Sequence, residues 1–113
     1  VMFPMFLPEI FWAKDKKNWD LTKFNNLFKS KNVYITFDVD GFDASIMPAT
    51  GTPEPGGLYW DDVLPIIKKV SQISNIVGAD INELAPIRNF DSYNFLVAKL
   101  AYKILSYSFE FKR

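Results

Sequence analysis

The sequence contains no cysteine, which excludes disulfide bonds and thiolate metal sites within the chain. It has no surplus of charge either, since 13 basic residues balance 13 acidic ones. No net field therefore recruits nucleic acid or an anionic membrane surface, and we expect neither as a partner. The missing cysteines fit a reducing compartment, so a cytoplasmic location is the expectation.

No apolar run is long enough to span a bilayer. Residues 1–12 are mostly apolar, but two prolines and an acidic residue interrupt them and no basic cluster precedes them. That pattern differs from a signal peptide and predicts one short extended element over residues 1–11. Because these residues have the character of buried strand or loop and no methionine precedes Val1, we expect that upstream sequence is missing.

The residues that are present are typical of a globular domain. Apolar residues make up 49% of the chain and aromatic residues 17%, including 11 Phe and 3 Trp. This richness in large aromatic side chains indicates a buried interface. A chain of 113 residues supports one modest domain with little margin of stability, and residues 1–113 are interpreted as a single partial domain.

Hydrophobic spacing predicts alternating helices and strands. Apolar residues recur at i, i+3 and i+4 in the helices, whereas the first strand is a nearly continuous β-branched and aromatic run, typical of a strand covered on both faces. The predicted helices are residues 20–30, 60–74 and 95–107, and the predicted strands are residues 32–37 and 76–81. Pro65 should lie in the first turn of its helix.

This alternation predicts an α/β protein with a parallel sheet and right-handed crossovers. Two or three strands are too few for a parallel sheet, which needs helices on both faces. We therefore expect one edge of a larger three-layer α/β/α sheet, completed by missing sequence or by another chain.

Two aspartates follow the first strand. Asp38 and Asp40 are two residues apart, so in extended backbone both carboxylates point the same way, at the strand end where α/β sheets place ligands. Such carboxylates repel each other unless a cation lies between them, and hard cations such as Mg²⁺ or Mn²⁺ suit oxygen ligands. Two alternatives stay open. Either one aspartate caps a turn while the other is solvated, or Asp38 is the nucleophile of a haloacid-dehalogenase-type phosphatase, although those usually carry Thr or Ser where this chain has Phe42.

The long connection over residues 39–58 is rich in Gly, Pro and Thr, and a connection of that length in a compact domain is usually functional. Its prolines restrict the backbone, while its glycines allow positive φ or the close approach of a ligand. The alternative is a rigid structural turn without ligand contacts. Together, residues 38–58 resemble the signature of the arginase/agmatinase (ureohydrolase) family, in which a strand ending in Asp-x-Asp precedes a Gly-Thr-Pro-x-x-Gly-Gly loop. The Pro-Glu-Pro form of this loop is more similar to agmatinase-type members.

A second segment, residues 77–86, resembles the family segment in which a strand ends in a Glu followed shortly by Pro. The resemblance implies an arginase-like fold and makes Asp38 and Asp40 ligands of a binuclear Mn²⁺ centre. It also implies that Glu83 pairs with a substrate guanidinium, with Thr52 beside it. A carboxylate accepts two parallel N–H bonds from such a planar group. Taken alone, Glu83 also fits a solvated loop residue.

The chain departs from the family pattern in two ways. Ala44 stands where the family usually has proline, which removes no ligand. The chain also contains no histidine, although the family's other metal ligands come from Gly-Gly-x-His and Asp-x-His-x-Asp type segments. We therefore expect the C-terminal part of a manganese-dependent ureohydrolase that acts on an agmatine-like guanidino compound, inactive on its own. The alternative is an inert remnant or structural piece; family members are usually trimers or hexamers, and the aromatic residues suit such contacts.

Overall fold

The computed structural model of the chain describes residues 9–112, so most of the extended element predicted over residues 1–11 lies outside the described part. The elements in chain order are a 3-10 helix at Ala13–Asn18, α1 at Lys23–Phe28, β1 at Asn32–Asp38, a short 3-10 helix at Val39–Gly41, α2 at Trp60–Ile73, β2 at Asn75–Asn82 and α3 at Asp91–Glu110. Both predicted strands and all three predicted helices are present. The 3-10 helix Ala13–Asn18 is an addition that the spacing of apolar residues does not predict.

The two strands form a parallel pair joined by α2. Pairing runs from Asn32 opposite Asn75 to Asp38 opposite Asn82, with one irregularity near its start. Parallel strands need a crossover connection, and α2 provides it, so the predicted α/β alternation is confirmed. The carboxyl ends of both strands consequently reach the same edge of the sheet.

The core lies against one face of this sheet. Ile35 and Phe37 of β1 and Ile81 of β2 pack against a buried cluster that the loop after β1, α2 and α3 supply together. The cluster consists of Val39, Phe42, Met47, Ala49, Val63, Ile67, Leu100 and Ile104. Phe42 and Met47 are 1% and 0% exposed. The first part of the long loop is therefore core material and its position is held by packing.

Within residues 9–112 the buried cluster covers one face of β1, whereas the sequence pattern predicts cover on both faces in a completed sheet. The residues of β1 alternate between exposed and half-buried, and Tyr34 is 57% exposed. The buried cluster lies on the face of Ile35 and Phe37, so the side chains between them, which point the other way, lack a covering layer among residues 9–112. Tyr and Thr are both good strand formers, so the residue types conceal this alternation.

Pro65 lies beyond the first turn of α2, contrary to the prediction, because the helix begins at Trp60. Without an N–H, Pro65 cannot donate a hydrogen bond to the carbonyl of Asp61. A capping box stabilises the start of the helix, in which the Tyr59 N–H donates to Asp62 Oδ2 at 2.8 Å. This cap and the buried face of α2 hold the helix together across the proline.

Two other helices differ from the prediction at their ends. α1 begins at Lys23 because Asp20 Oδ1 accepts hydrogen bonds from the N–H and the hydroxyl of Thr22, at 3.0 and 2.5 Å, a local turn that competes with helix. α3 runs from Asp91 to Glu110 and is longer at both ends than predicted. Within residues 9–112, neither α3 nor any other helix combines the length and apolarity needed to cross a membrane.

Candidate functional site

The two aspartates of the motif lie in different local structures. Asp38 is the last residue of β1, and Asp40 lies in the 3-10 helix Val39–Gly41 that follows. The backbone is therefore not extended between them, and the premise that extended backbone aims both carboxylates the same way is wrong. The chain turns here because Val39 and Phe42 are buried in the core, with the Phe42 N–H donating to the Val39 carbonyl at 3.1 Å. Both aspartates still lie at the carboxyl edge of the sheet.

The loop after the aspartates folds back on its own start. The Asp43 N–H donates to the Leu58 carbonyl at 2.8 Å, and the Leu58 N–H donates to the Gly41 carbonyl at 2.9 Å. A third bond joins the Ala44 N–H to the Glu54 carbonyl at 2.9 Å. These bonds close the loop at its base, directly beside the aspartates.

Thr52 brings this loop into contact with the acidic pair. Its Oγ1 donates a hydrogen bond to Asp40 Oδ2 at 2.8 Å. A carboxylate has about four acceptor positions, so this bond orients Asp40 and leaves most of its acceptor capacity for another ligand. Asp40, a predicted metal ligand, and Thr52, predicted to lie beside the substrate, are thus in direct contact.

Glu83 directly follows β2, at the same edge of the sheet. The strand register places Asn82 opposite Asp38, so Glu83 lies one residue beyond the level of Asp38. Its φ of 73° is a left-handed conformation that is uncommon for a residue with a side chain. The side chain is exposed, and within residues 9–112 it makes no hydrogen bond to Asp38, Asp40 or Thr52.

Backbone pairing joins the loop after β1 to the segment after β2. The Ala85 N–H donates to the Ala49 carbonyl at 2.8 Å, and Thr50 forms an isolated antiparallel bridge with Leu84. The loop is therefore tied to the chain just beyond Glu83. The four predicted site residues share one edge of the sheet, and the contact between Asp40 and Thr52 is the direct bond that the structure shows among them.

Asp43 is a residue of this site that the sequence pattern does not single out. Its side chain is buried, and hydrogen bonds from the Ser45 hydroxyl and N–H, and from the Gly56 and Gly57 N–H groups, lower its pKa to about 2. An aspartate two residues before a serine is a recognisable turn signal. The glycines follow 13 and 14 residues later, and only the folded loop brings them to the carboxylate.

No basic side chain forms an ion pair with Asp38 or Asp40 in the described part of the chain. The salt bridge found there joins Lys16 Nζ to Asp62 Oδ2 at 2.8 Å. The aspartates therefore offer uncompensated charge and oxygen ligands, which suit a hard divalent cation. However, residues 9–112 contain no group of three or more His, Cys, Asp or Glu side chains that could hold a metal ion.

Comparison with known proteins gives consistent matches over most of the chain. The model of the Arginase family matches residues 9–106. The N(1)-aminopropylagmatine ureohydrolase of Synechocystis sp. is 41% identical over 107 residues, which cover 92% of this chain and 35% of that protein. The crystal structure of the agmatine ureohydrolase of Thermoplasma volcanium has a TM-score of 0.70 at 36% identity and covers 85% of this chain and 33% of that one. The chain thus spans about a third of the length of these relatives.

A more distant structure shares the fold alone. The formiminoglutamase of Trypanosoma cruzi, whose crystal structure is described with Mn²⁺, has a TM-score of 0.69 at 20% identity and covers 88% of this chain. Together with the agmatine ureohydrolase, it confirms that the chain has the α/β fold class predicted from its pattern of helices and strands.

Proposed function

We propose that this chain, which belongs to the arginase family and has its α/β fold, forms part of a ureohydrolase. The whole enzyme would hydrolyse an agmatine-like guanidino compound to urea and an amine. The observation that carries the proposal is the 2.8 Å bond from Thr52 Oγ1 to Asp40 Oδ2, which joins two separate parts of the family signature at the tip of β1. The family match is evidence against the alternative hypothesis, a haloacid-dehalogenase-type phosphatase with Asp38 as nucleophile.

In this proposal Asp38 and Asp40 are metal ligands, with Mn²⁺ as the metal. Support comes from their oxygen donors, from the lack of an ion-pair partner for either side chain among residues 9–112, and from the Mn²⁺ of the related formiminoglutamase structure. Held in part by Asp38 and Asp40, a binuclear centre would lower the pKa of a water that serves as the nucleophile. Thr52 orients the carboxylate of Asp40 by donating a hydrogen bond from its hydroxyl.

Glu83 is the proposed partner of the substrate guanidinium. Its exposed carboxylate stands at the sheet edge beyond Asp38, where it can accept two parallel N–H bonds from a planar cation. Left-handed backbone in a residue with a side chain is often kept at ligand sites, which supports this role. The names of the Synechocystis and Thermoplasma relatives favour an agmatine-like substrate.

The remaining ligands would come from polypeptide outside this chain. Histidine is absent from the sequence, and the chain spans about a third of the relatives' length. An open apolar cavity of about 320 Å³ runs along β1 and α2, lined by residues such as Val33, Ile35 and Ile67, and in this proposal polypeptide outside the chain covers it. We propose that the completed protein is a cytoplasmic homo-oligomer, a trimer or a hexamer.

The proposal is tested by reconstitution. The chain is mixed with the part of the Synechocystis ureohydrolase that it does not match, Mn²⁺ is added, and urea released from agmatine or aminopropylagmatine is measured. We expect urea from the mixture and none from either piece alone. The reason is that residues 9–112 of this chain contain no group of three or more His, Cys, Asp or Glu side chains that could hold a metal ion, and the other piece lacks the counterparts of Asp38 and Asp40.

Three variants sharpen this test. Asp38→Asn and Asp40→Asn should abolish urea release by the mixture, whereas Asp61→Asn, which changes an exposed aspartate on α2, should leave it unchanged. Urea released by the isolated chain would contradict the proposal that the site is incomplete. A mixture that assembles and binds Mn²⁺ without releasing urea would instead favour the alternative of an inert structural piece.

A further inference from the structure

Asp43 uses both oxygens of a buried carboxylate to hold the loop above the acidic pair. The side chain is 7% exposed. Its Oδ1 accepts hydrogen bonds from the N–H groups of Gly56 at 2.8 Å and Gly57 at 3.2 Å. Its Oδ2 accepts from the Ser45 N–H at 2.9 Å and from the Ser45 hydroxyl. Four donors from two separate stretches of the loop therefore converge on one side chain.

Backbone contact at Gly57 shows how tightly the loop is seated on this anchor. A Cβ at Gly57 would lie 2.6 Å from both the Asp43 nitrogen and the Phe42 carbonyl carbon, a distance that real Cβ atoms do not show. The neighbours are backbone atoms and cannot swing aside. The loop therefore reaches the carboxylate of Asp43 only because position 57 has no side chain.

The anchored loop contacts the acidic pair through Thr52. Residues 51–57 run between the backbone bond of Ala49 to Ala85 and the anchor at Asp43, and within this stretch the Thr52 hydroxyl donates to Asp40 at 2.8 Å. Movement of the loop away from Asp43 would withdraw Thr52 from Asp40.

We infer that Asp43 is a positioning residue, which acts through Thr52 to set the orientation of the Asp40 carboxylate. The inference rests on the proposed function for the roles of Asp40 and Thr52. The predicted effect is local, because β1 and β2 pair through a separate set of hydrogen bonds.

The test compares Asp43→Asn with the unchanged 113-residue chain by NMR, without metal. The asparagine places an NH₂ group, a donor, against N–H donors that the carboxylate now accepts. We expect the Gly56 and Gly57 amides to exchange with solvent on the order of tenfold faster or more. The Thr52 amide and the Asp40 side-chain carboxyl signals should shift, while amide exchange in β1 and β2 stays unchanged. Glu54→Gln, which removes an exposed carboxylate from the same loop, is the matched control and should change none of these signals.

Ser45→Ala decides the question if Asp43→Asn does not fold, since it removes one donor from the same carboxylate. This variant should produce the same changes in amide exchange and in the Thr52 and Asp40 signals, but smaller ones. Thr52→Val should shift the Asp40 signal and leave Gly56 and Gly57 exchange unchanged. A purely structural role would accelerate exchange throughout β1 and β2 together.

That uniform acceleration would overturn the inference, as would faster glycine exchange in Asp43→Asn with an unmoved Asp40 signal. A different result would contradict the proposed function, namely a completed protein that neither binds Mn²⁺ nor releases urea. The NMR signals of the metal-free chain do not depend on that result.

Discussion

The three aspartates near the end of β1 differ in how far their acceptor oxygens are already occupied. Asp43 uses both oxygens to bind the loop, and Asp40 accepts one bond from Thr52. Asp38 is exposed at the end of the strand. The carboxylate with the most internal hydrogen bonds is the one that holds the loop, and the two with the fewest are the proposed metal ligands.

Thr52→Val tests the contact that carries the proposed function. The change keeps the shape of the side chain but removes the hydroxyl that orients Asp40, so we expect the Mn²⁺ affinity or activity of the reconstituted enzyme to fall about 10- to 100-fold. Thr52→Ser, which keeps the hydroxyl, is the control and should remain near the unchanged protein. Equal Mn²⁺ dissociation constants for Thr52→Val and the unchanged protein, measured by calorimetry, would contradict this role of Thr52.

Asp43 also predicts how stability depends on pH. Its pKa in the folded chain is about 2, against an ordinary value of 3.8, because the Ser45 hydroxyl and N–H and two glycine N–H groups bind its charged form. A folded-state pKa below the unfolded one stabilises the protein above the unfolded pKa, and this stabilisation is lost as pH falls. We expect the free energy of unfolding to decrease as the pH falls from about 4 to about 2. Urea unfolding at each pH, monitored by tryptophan fluorescence, measures this decrease.

The comparison variant for this pH dependence is Asp43→Asn. It cannot titrate at this position and should show a shallower decrease over the same pH range. Asp20 and Asp62, whose pKa values are also lowered by hydrogen bonds from Thr22 and from Lys16, keep part of the slope in both proteins. Identical slopes in the two proteins would show that the carboxylate of Asp43 is not held in its charged form.

At the scale of elements, α2 contains a proline in its interior, where proline destabilises a helix. Pro65 leaves the Asp61 carbonyl without its helical N–H partner, and its ring is exposed. Pro65→Ala should therefore raise the free energy of unfolding by about 1 kcal/mol, since the helical gain exceeds the added entropy of the unfolded chain. Urea unfolding measures the change in the free energy of unfolding. Lys68→Ala, at another exposed position of α2, is the control. Destabilisation by Pro65→Ala would show that the proline ring stabilises the folded chain.

The existence and order of the main elements follow from local pattern, and so do the ends of α2, whereas the ends of α1 and α3 do not. The apolar spacing of residues 60–74 predicts α2 almost to the residue, because its buried stripe and its capping box are both local features. The start of α1 is displaced by the Asp20 side chain, which binds Thr22 in place of the helix. The 3-10 helix Ala13–Asn18 has no buried residue. Its position depends on Lys16, which reaches Asp62 46 residues away, and that contact has no signature in the local sequence.

At the scale of the whole molecule, several large apolar side chains of the described residues are exposed. Phe95 is 71% exposed, Phe109 69% and Tyr34 57%. Their exposure is consistent with the proposal that other polypeptide completes the domain.

This exposure predicts that the chain is stabilised by the rest of an arginase-family domain. Adding the unmatched part of the Synechocystis protein at about 100 times its dissociation constant should stabilise the folded chain by about 2.7 kcal/mol, because it binds only the folded form. The unfolding temperature of the chain, followed with the partner in excess, should rise with partner concentration. Tyr34→Lys should reduce this rise, whereas Lys14→Ala, at an exposed site of the first 3-10 helix, should not. An unfolding temperature independent of the partner would contradict the expectation.

The sequence by itself determined the α/β order of elements, the family and the candidate residues Asp38, Asp40, Thr52 and Glu83, since these depend on short-range spacing and residue type. Only the tertiary structure decided that the chain turns between Asp38 and Asp40, that Thr52 bonds to Asp40, and that Asp43 anchors the loop. The reason is physical. Those features depend on contacts between residues far apart in the chain, which form only when buried side chains such as Phe42 fix the path of the backbone.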